Sequence, residues 1–339
     1  METTTLPEND DKHTHVYLPP NDSKQYCAHC QAADPTVECE QCSLKVFDRG
    51  QHRTIFQTLY CSEKCRQEHM STHRPACEEM RQLWRAGLIF RGIFQDLLER
   101  VYEEDILDIV VHNNEVVADI NDPFLNFDNK PFIFPWGKTP SEDAGLTLLM
   151  EGQCSEVLLV FRPLFNYLFS SIGQKVHEYK IKCKNEKFAA VRESAWSDDR
   201  TNNTRYWHAV IVIATTSQTK MVLDFSGHQF GWSDWIAPWG EYKKHRVREV
   251  EGRKRVTFYD PDGGIPENLR FDKYNKRIET IRLDIMEHCT HKLKAVLDRD
   301  YGGLLEVLTL DDHAFDVAHG VIAERAHDFV DQKANELGV

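Results

Sequence analysis

Apolar positions recur at helical spacing from Glu78 to Val101, where Leu83, Trp84, Leu88, Phe94, Leu97, Leu98 and Val101 share a stripe. The pattern predicts a long amphipathic helix that docks the preceding segment on the rest of the chain. The period then changes. Ile106–Ile120 reads as a hairpin turning at Asn113-Asn114. Residues 123–136, rich in aromatics and prolines, read as an irregular connection. A short helix is expected over Ser141–Met150, capped by Thr139 or Ser141 and started by Pro140. Gly152 breaks the pattern before Cys154–Phe169, an apolar run of helical character. Strand-like stretches follow at Glu178–Cys183, Trp207–Ala214 and Lys220–Phe225, the last after a Ser217-Gln218 turn. Val256–Tyr259 is a further strand, ended by the turn residues Asp260–Gly264. Helix returns over about 272–298, with Ile278, Ile281, Ile285, Cys289, Leu293 and Val296 on one face, and again over 312–334. Helices before and after a small antiparallel sheet define an α+β body.

Composition narrows the picture. The chain has 339 residues and a formal net charge of -13, enough for one large core or two domains beside any small module. No run of apolar residues is long enough to cross a membrane, so no membrane partner is expected. Met1–Asp22 is polar, without an apolar signal core, and secretion is not indicated. Residues 1–24 read as a flexible tail ending near the turn-like Pro19-Pro20-Asn21-Asp22. The acidic balance argues against nucleic acid as the main partner. Lys243–Arg255 is locally basic, but Glu249 and Glu251 interrupt it, and a solvated face is expected. Neither a phosphate-binding Walker loop nor a dinucleotide fingerprint is present.

The cysteines carry the strongest chemistry. Seven of ten lie between Cys27 and Cys77. Cys27/Cys30 and Cys39/Cys42 are two-residue knuckles, and Cys61/Cys65 and His73/Cys77 have the spacing that puts two ligands on one helical face. Eight soft donors suffice for two closed tetrahedral zinc sites. His69 lies four residues after Cys65 and competes with His73 as a ligand. Clustered thiols with only Cys154, Cys183 and Cys289 left over suit a reducing cytoplasm or nucleus. Cys183 and Cys289 are expected in the core.

The order C-x2-C, C-x2-C, aromatic-C-x3-C, C-x7-H-x3-C resembles the MYND zinc finger, placed here over residues 25–80. That resemblance implies a cross-braced module. Cys27, Cys30, Cys61 and Cys65 would hold one Zn(2+), and Cys39, Cys42, His73 and Cys77 the other. It also implies a protein-interaction role toward short proline-containing peptides. The gap between Cys42 and Cys61 is longer than usual, so Ser43–Leu59 is expected to form an extended loop or small hairpin. The asparagine-histidine-cysteine signature of the methyltransferase domain that some MYND proteins carry is not found.

In the body, covering 81–339, three residues form a second constellation. Cys154 sits in Gly152-Gln153-Cys154 ahead of an apolar helix, His208 opens one strand, and Asp224 ends the next. A thiol at a helix start, a base and an orienting carboxylate are the parts of a nucleophilic triad. The arrangement resembles the transglutaminase-like superfamily, with its core at 140–260, although Ser155 replaces the usual aromatic after the cysteine. Resemblance also extends to uncharacterised fungal MYND-finger proteins, through Leu223-Asp224-Phe225-Ser226-Gly227-His228-Gln229-Phe230-Gly231 and Pro238-Trp239. Trp207, Trp232, Trp235 and Trp239 crowd this region and are expected to brace the loop after Asp224. Two functions follow as expectations. The first is a finger that recruits a protein partner to a scaffold body. The second is a cysteine-dependent amide hydrolase, deamidase or acyltransferase using Cys154, His208 and Asp224.

Overall fold

The computed structural model describes residues 26–41, 44–48, 51–121, 131–194, 197–202, 207–256 and 276–339. Cys42, the whole of the expected tail, residues 257–259 of the expected Val256–Tyr259 strand and the Asp260–Gly264 turn lie outside the described residues.

In chain order, the N-terminal part pairs β1 (Val37–Glu38) with β4 (Leu59–Tyr60) around a hairpin of β2 (Leu44–Asp48) and β3 (Gln51–Phe56). The hairpin is the small excursion expected between Cys42 and Cys61. Helix α1 (Glu63–Arg100) then runs for 38 residues. Ser62 starts it, its hydroxyl accepting from the Cys65 N–H at 3.3 Å. The helix crosses Pro75 and residue 80 without ending. Cys65, His73, Cys77 and the apolar stripe of the body therefore share one element.

Strands β5 (Ile106–His112) and β6 (Glu115–Ile120) form the expected hairpin, with Asn113 and Asn114 in the left-handed region at φ 48° and 65°. Helix α2 (Glu142–Leu149) is capped by Ser141, so Pro140 precedes the helix rather than opening it. The apolar run after Gly152 is not one helix but two, α3 (Glu156–Leu159) and α4 (Arg162–Phe169). Pro163 accounts for the break, because proline fits the first turn of a helix but not its interior. Next come β7 (Gly173–Cys183), β8 (Ala189–Ser194), β9 (Ser197–Asn202), β10 (His208–Thr215), β11 (Lys220–Leu223) and β12 (Ile236–Pro238). The stretch Lys243–Arg255, expected as a solvated face, is the end of α5 (Trp239–Arg246) and most of β13 (Val247–Val256). Helices α6 (Lys276–Tyr301), α7 (Leu304–Thr309) and α8 (Asp312–Leu337) complete the chain.

The larger sheet runs β12-β11-β10-β7-β13, antiparallel throughout. Strands β10 and β11 are buried on both faces. Ile211, Ile213, Met221 and Leu223 join the main core, while Val210, Val212 and Val222 face a second cluster with Phe230, Trp232 and Tyr242. A two-sided environment makes β10 a continuous apolar run rather than an alternating one. The smaller sheet runs β5-β6-β8-β9, with β6 and β8 parallel. The main core is continuous from Cys27, Cys39, Tyr60 and Cys77 through α1 to Ala334 in α8. Phe90 lies at its centre, 4.3 Å from Phe225 between ring centroids, and Phe94 packs edge-on against Phe161 at 4.5 Å. Such contacts add to burial that stabilises each large side chain by about 1.5–3 kcal/mol.

Trp235 locks α1 to the sheet. Its ring stacks on Trp84 at 4.8 Å and on Phe225 at 5.6 Å, against the backbone of Gly87. A Cβ at Gly87 would come within 2.2 Å of the ring, whereas one at Gly92 would meet nothing within 4 Å. Gly87→Ala should therefore destabilise the protein by about 1–3 kcal/mol through overpacking. Gly92→Ala should stabilise it by about 0.5–1 kcal/mol through helix propensity. Denaturant unfolding of the two variants distinguishes these signs.

Candidate functional site

The N-terminal ligands converge in two clusters. Cys27, Cys30, Cys61 and Cys65 bring their donor atoms within 4.8 Å of one another, and so do Cys39, His73 and Cys77. The sulfur separations are 3.5 Å for Cys30–Cys61, 3.5 Å for Cys61–Cys65, 3.7 Å for Cys65–Cys30 and 3.9 Å for Cys39–Cys77. A tetrahedron with zinc–sulfur bonds of about 2.3 Å has edges of about 3.8 Å, so the thiols stand close to where one ion would hold them. The donor set is soft and suits zinc. Burial opposes ionisation of Cys27, yet the backbone N–H groups of Cys30, Cys61 and His29 hold its thiol down to about 6. Hydrogen bonding with Cys30 and Cys65 pushes the Cys61 thiol up to about 12. His69 stays outside both clusters. Its Nδ1 meets the Tyr60 hydroxyl at 3.2 Å, and its ring stacks on His73 at 5.7 Å.

The second constellation is assembled at one end of the larger sheet. Strand β10 delivers His208 and the end of β11 delivers Asp224, both fully enclosed. His208 Nε2 and Asp224 Oδ1 are 2.8 Å apart. Tyr242, from α5, donates its hydroxyl to Asp224 Oδ2 at 2.7 Å, so both carboxylate oxygens are engaged. The Asp224 N–H donates to the Trp235 carbonyl at 2.7 Å, which ties the carboxylate to the tryptophan lock. Burial would drive the His208 imidazole neutral, but Asp224 overrides it and holds the group up to about 10. Burial likewise pushes Asp224 up, while His208, Tyr242 and Arg246 hold it below the usual carboxylate range.

Cys154 is half-buried, and its thiol lies close enough to His208 to help hold the imidazole up. It sits in a turn before the four-residue α3, not on the start of a long helix, so helix-dipole activation of its thiol is at most that of one turn. With Nε2 engaged by Asp224, Nδ1 is the nitrogen left for the thiol. That atom also faces Gln229 Nε2 at 3.1 Å. Gln229 reaches back to the cysteine turn, its Oε1 accepting from the Gly152 N–H at 3.4 Å. The 3-10 turn Gly227–Phe230 thus positions both the imidazole and the thiol-bearing turn. Chemically, the set provides a thiol, an imidazole able to take its proton and a carboxylate that keeps the imidazole oriented.

The structure adds a buried charged cluster beneath this turn. Arg282, fully enclosed in α6, donates to the Val101 carbonyl, to Glu103 at 2.7 Å and to Gln153 Oε1 at 3.1 Å. Arg192 meets Glu104 at 2.8 Å and Glu151 at 3.2 Å. Burial pushes Glu104 and Glu151 up, and pushes Glu156 up to about 7. Sequence reasoning missed these residues and Tyr242, because charged and tyrosyl side chains carry no pattern that distinguishes a buried position from a solvated one. Of the tryptophans, Trp232 and Trp235 are buried and brace the loop after Asp224 as expected; Trp207 and Trp239 are half-buried. Cys183 and Cys289 are in the interior.

Residues 27–77 match the family model of the MYND finger. No curated protein and no solved structure matches the chain. The N-terminal segment is thus a MYND-type finger with cysteine and histidine clusters able to bind zinc. Among the described residues, no helix is long and apolar enough to cross a membrane.

The His208–Asp224 pair sets a pH dependence. His208 is raised in the folded state, so its contribution is complete below its ordinary value of 6.5 and is lost as pH rises to about 10. Asp224 is lowered, so its contribution is complete above its ordinary value of 3.8 and is lost as pH falls through its folded value. Wild-type stability should decline between those upper limits more steeply than that of a His208→Gln, Asp224→Asn double variant. Denaturant unfolding at successive pH values reads the difference.

Proposed function

We propose that the chain is an intracellular, cytoplasmic or nuclear, zinc-dependent adaptor. Its finger binds a protein partner through a short proline-containing segment, and its α+β body serves as the scaffold. Two ions load it, one on Cys27, Cys30, Cys61 and Cys65, the other on Cys39, His73, Cys77 and Cys42. The observation that carries this reading is the pair of ligand clusters within the segment that matches the MYND finger. With every position filled by protein, zinc supplies folding free energy and leaves no open coordination site.

Metal analysis of purified protein should return two zinc ions per chain, and one in Cys61→Ser if the second site survives alone. A display library of proline-containing peptides should yield binders that Cys61→Ser loses. Binders retained equally by Cys61→Ser would sink the adaptor reading.

The convergence of Cys154, His208 and Asp224 from three separate elements favours a second reading, a cysteine-dependent amidase, deamidase or acyltransferase of transglutaminase-like type. His208 would take the Cys154 proton, and the thiolate would attack an amide carbonyl. Collapse to the thioester would expel the amine, protonated by His208. Water or a second amine would then attack the thioester and release Cys154 with the proton returned. The buried pair of His208 and Asp224 supports this role, whereas the Gln229 amide on Nδ1 competes with the thiol for the base. Alkylation of the zinc-loaded protein at pH 6, read for each cysteine by peptide mass, tests it. Rapid modification of Cys154 that slows in His208→Ala is expected of an activated thiolate. Protection of Cys154, or a rate indifferent to His208→Ala, would remove the enzyme reading.

A further inference from the structure

The smaller sheet has two dissimilar edges. At one end β9 reads Ser-Asp-Asp-Arg-Thr-Asn, a charged strand of the kind that discourages further pairing. At the other end β5 reads Ile-Leu-Asp-Ile-Val-Val-His, with no proline, lysine or arginine. Leu107, Val110 and Val111 are 48%, 51% and 45% exposed on it. Among the described residues, no strand pairs with its outer side.

The turn fixes which backbone groups face outward. A two-residue Asn-Asn turn with both φ positive makes its flanking residues, His112 and Glu115, a mutually hydrogen-bonded pair. Val110 and Val117 form the next such pair along the ladder. The N–H and C=O groups of Ile109 and Val111 therefore point away from β6. Among the described residues, the Ile109 N–H is met only by the neighbouring Asp108 carboxylate, at 2.9 Å. A side chain stands where a partner strand's carbonyl would.

Charge identifies the partner. Asp108 lies directly opposite Asp119, and His112 opposite Glu115, on one face of the hairpin. Like charges facing each other across strands are destabilising, and neither β5 nor β6 contains a lysine or arginine to relieve them. The opposite face is apolar, with Ile109, Val116 and Ala118 buried and Val111 half-open. A second copy of the chain would bring its own Asp108 toward the first. We propose that the β5 edge binds an extended segment of a partner protein in which apolar residues alternate with lysine or arginine. The apolar residues would cover Val111, the cations would sit by Asp108 and Asp119, and the backbone would pair with Ile109 and Val111.

The test uses full-length, zinc-loaded protein and two labelled synthetic peptides, one alternating valine with lysine, the other valine with glutamate. Fluorescence anisotropy should show salt-sensitive binding of the lysine peptide and little of the glutamate peptide. Val111→Pro removes one outward N–H while sparing the β5–β6 ladder, and should weaken binding by about tenfold or more. Asp108→Lys, at an exposed position, should weaken it similarly, and Asp108→Lys with Asp119→Lys should reverse the preference. Circular dichroism establishes that the variants fold. Failure of the lysine peptide to bind, or binding indifferent to both Val111→Pro and Asp108→Lys, would overturn the proposal. So would self-association in sedimentation that Val111→Pro abolishes, because the edge would then belong to a second copy.

Discussion

Helix α1 imposes the constraint on which the molecule depends. One uninterrupted helix places Cys65, His73 and Cys77 of the two ligand clusters on its first turns and the central phenylalanines of the body on its last, with a rotation fixed at 3.6 residues per turn. At about 1.5 Å per residue its 38 residues extend about 57 Å. The finger and the body cannot adjust their relative rotation without breaking backbone hydrogen bonds, and the continuous apolar core around the helix confirms that they pack as one unit. Gly87 reflects the same constraint, because the helix approaches the sheet so closely there that only hydrogen fits against Trp235.

From this frame the polar interior follows. Trp235, seated on α1, accepts the Asp224 N–H; Asp224 holds His208; and Gln229 links His208 to the cysteine turn. Arg91 of α1 adds a contact to His228 at 3.3 Å, on the same 3-10 turn as Gln229. The chain of contacts is entirely side chain to side chain or to backbone, in an enclosed region where each unsatisfied group would cost about 1–3 kcal/mol. Such a network holds a geometry well, whether its use is catalytic or structural.

Much of this was legible in the residues. Ligand spacing marked the finger because metal geometry permits few alternatives, and the second half of α1 showed because its stripe faces a core. The first half was hidden, since ligands and polar residues occupy the positions where an apolar period would appear. Strand β13 was hidden for a related reason: as an edge strand it carries Arg-Glu-Val-Glu-Gly-Arg-Lys-Arg and looks like solvated surface. Pro163 was the available signal that the run after Cys154 would divide. Nothing in Arg282 or Glu156 announces burial. Their environment is created by tertiary packing alone, from segments far apart in the chain.

Arg282 has a temporal consequence. Its guanidinium, arriving with α6, is what fastens the Val101 carbonyl at the end of α1, Glu103 and Gln153 beside Cys154. During synthesis the chain emerges from its N-terminus, so the finger, His208 and Asp224 all leave the ribosome before this residue does. The thiol-bearing turn must wait for the last quarter of the polypeptide before it can take its final shape, and a nascent or truncated chain would lack the residue that fastens it.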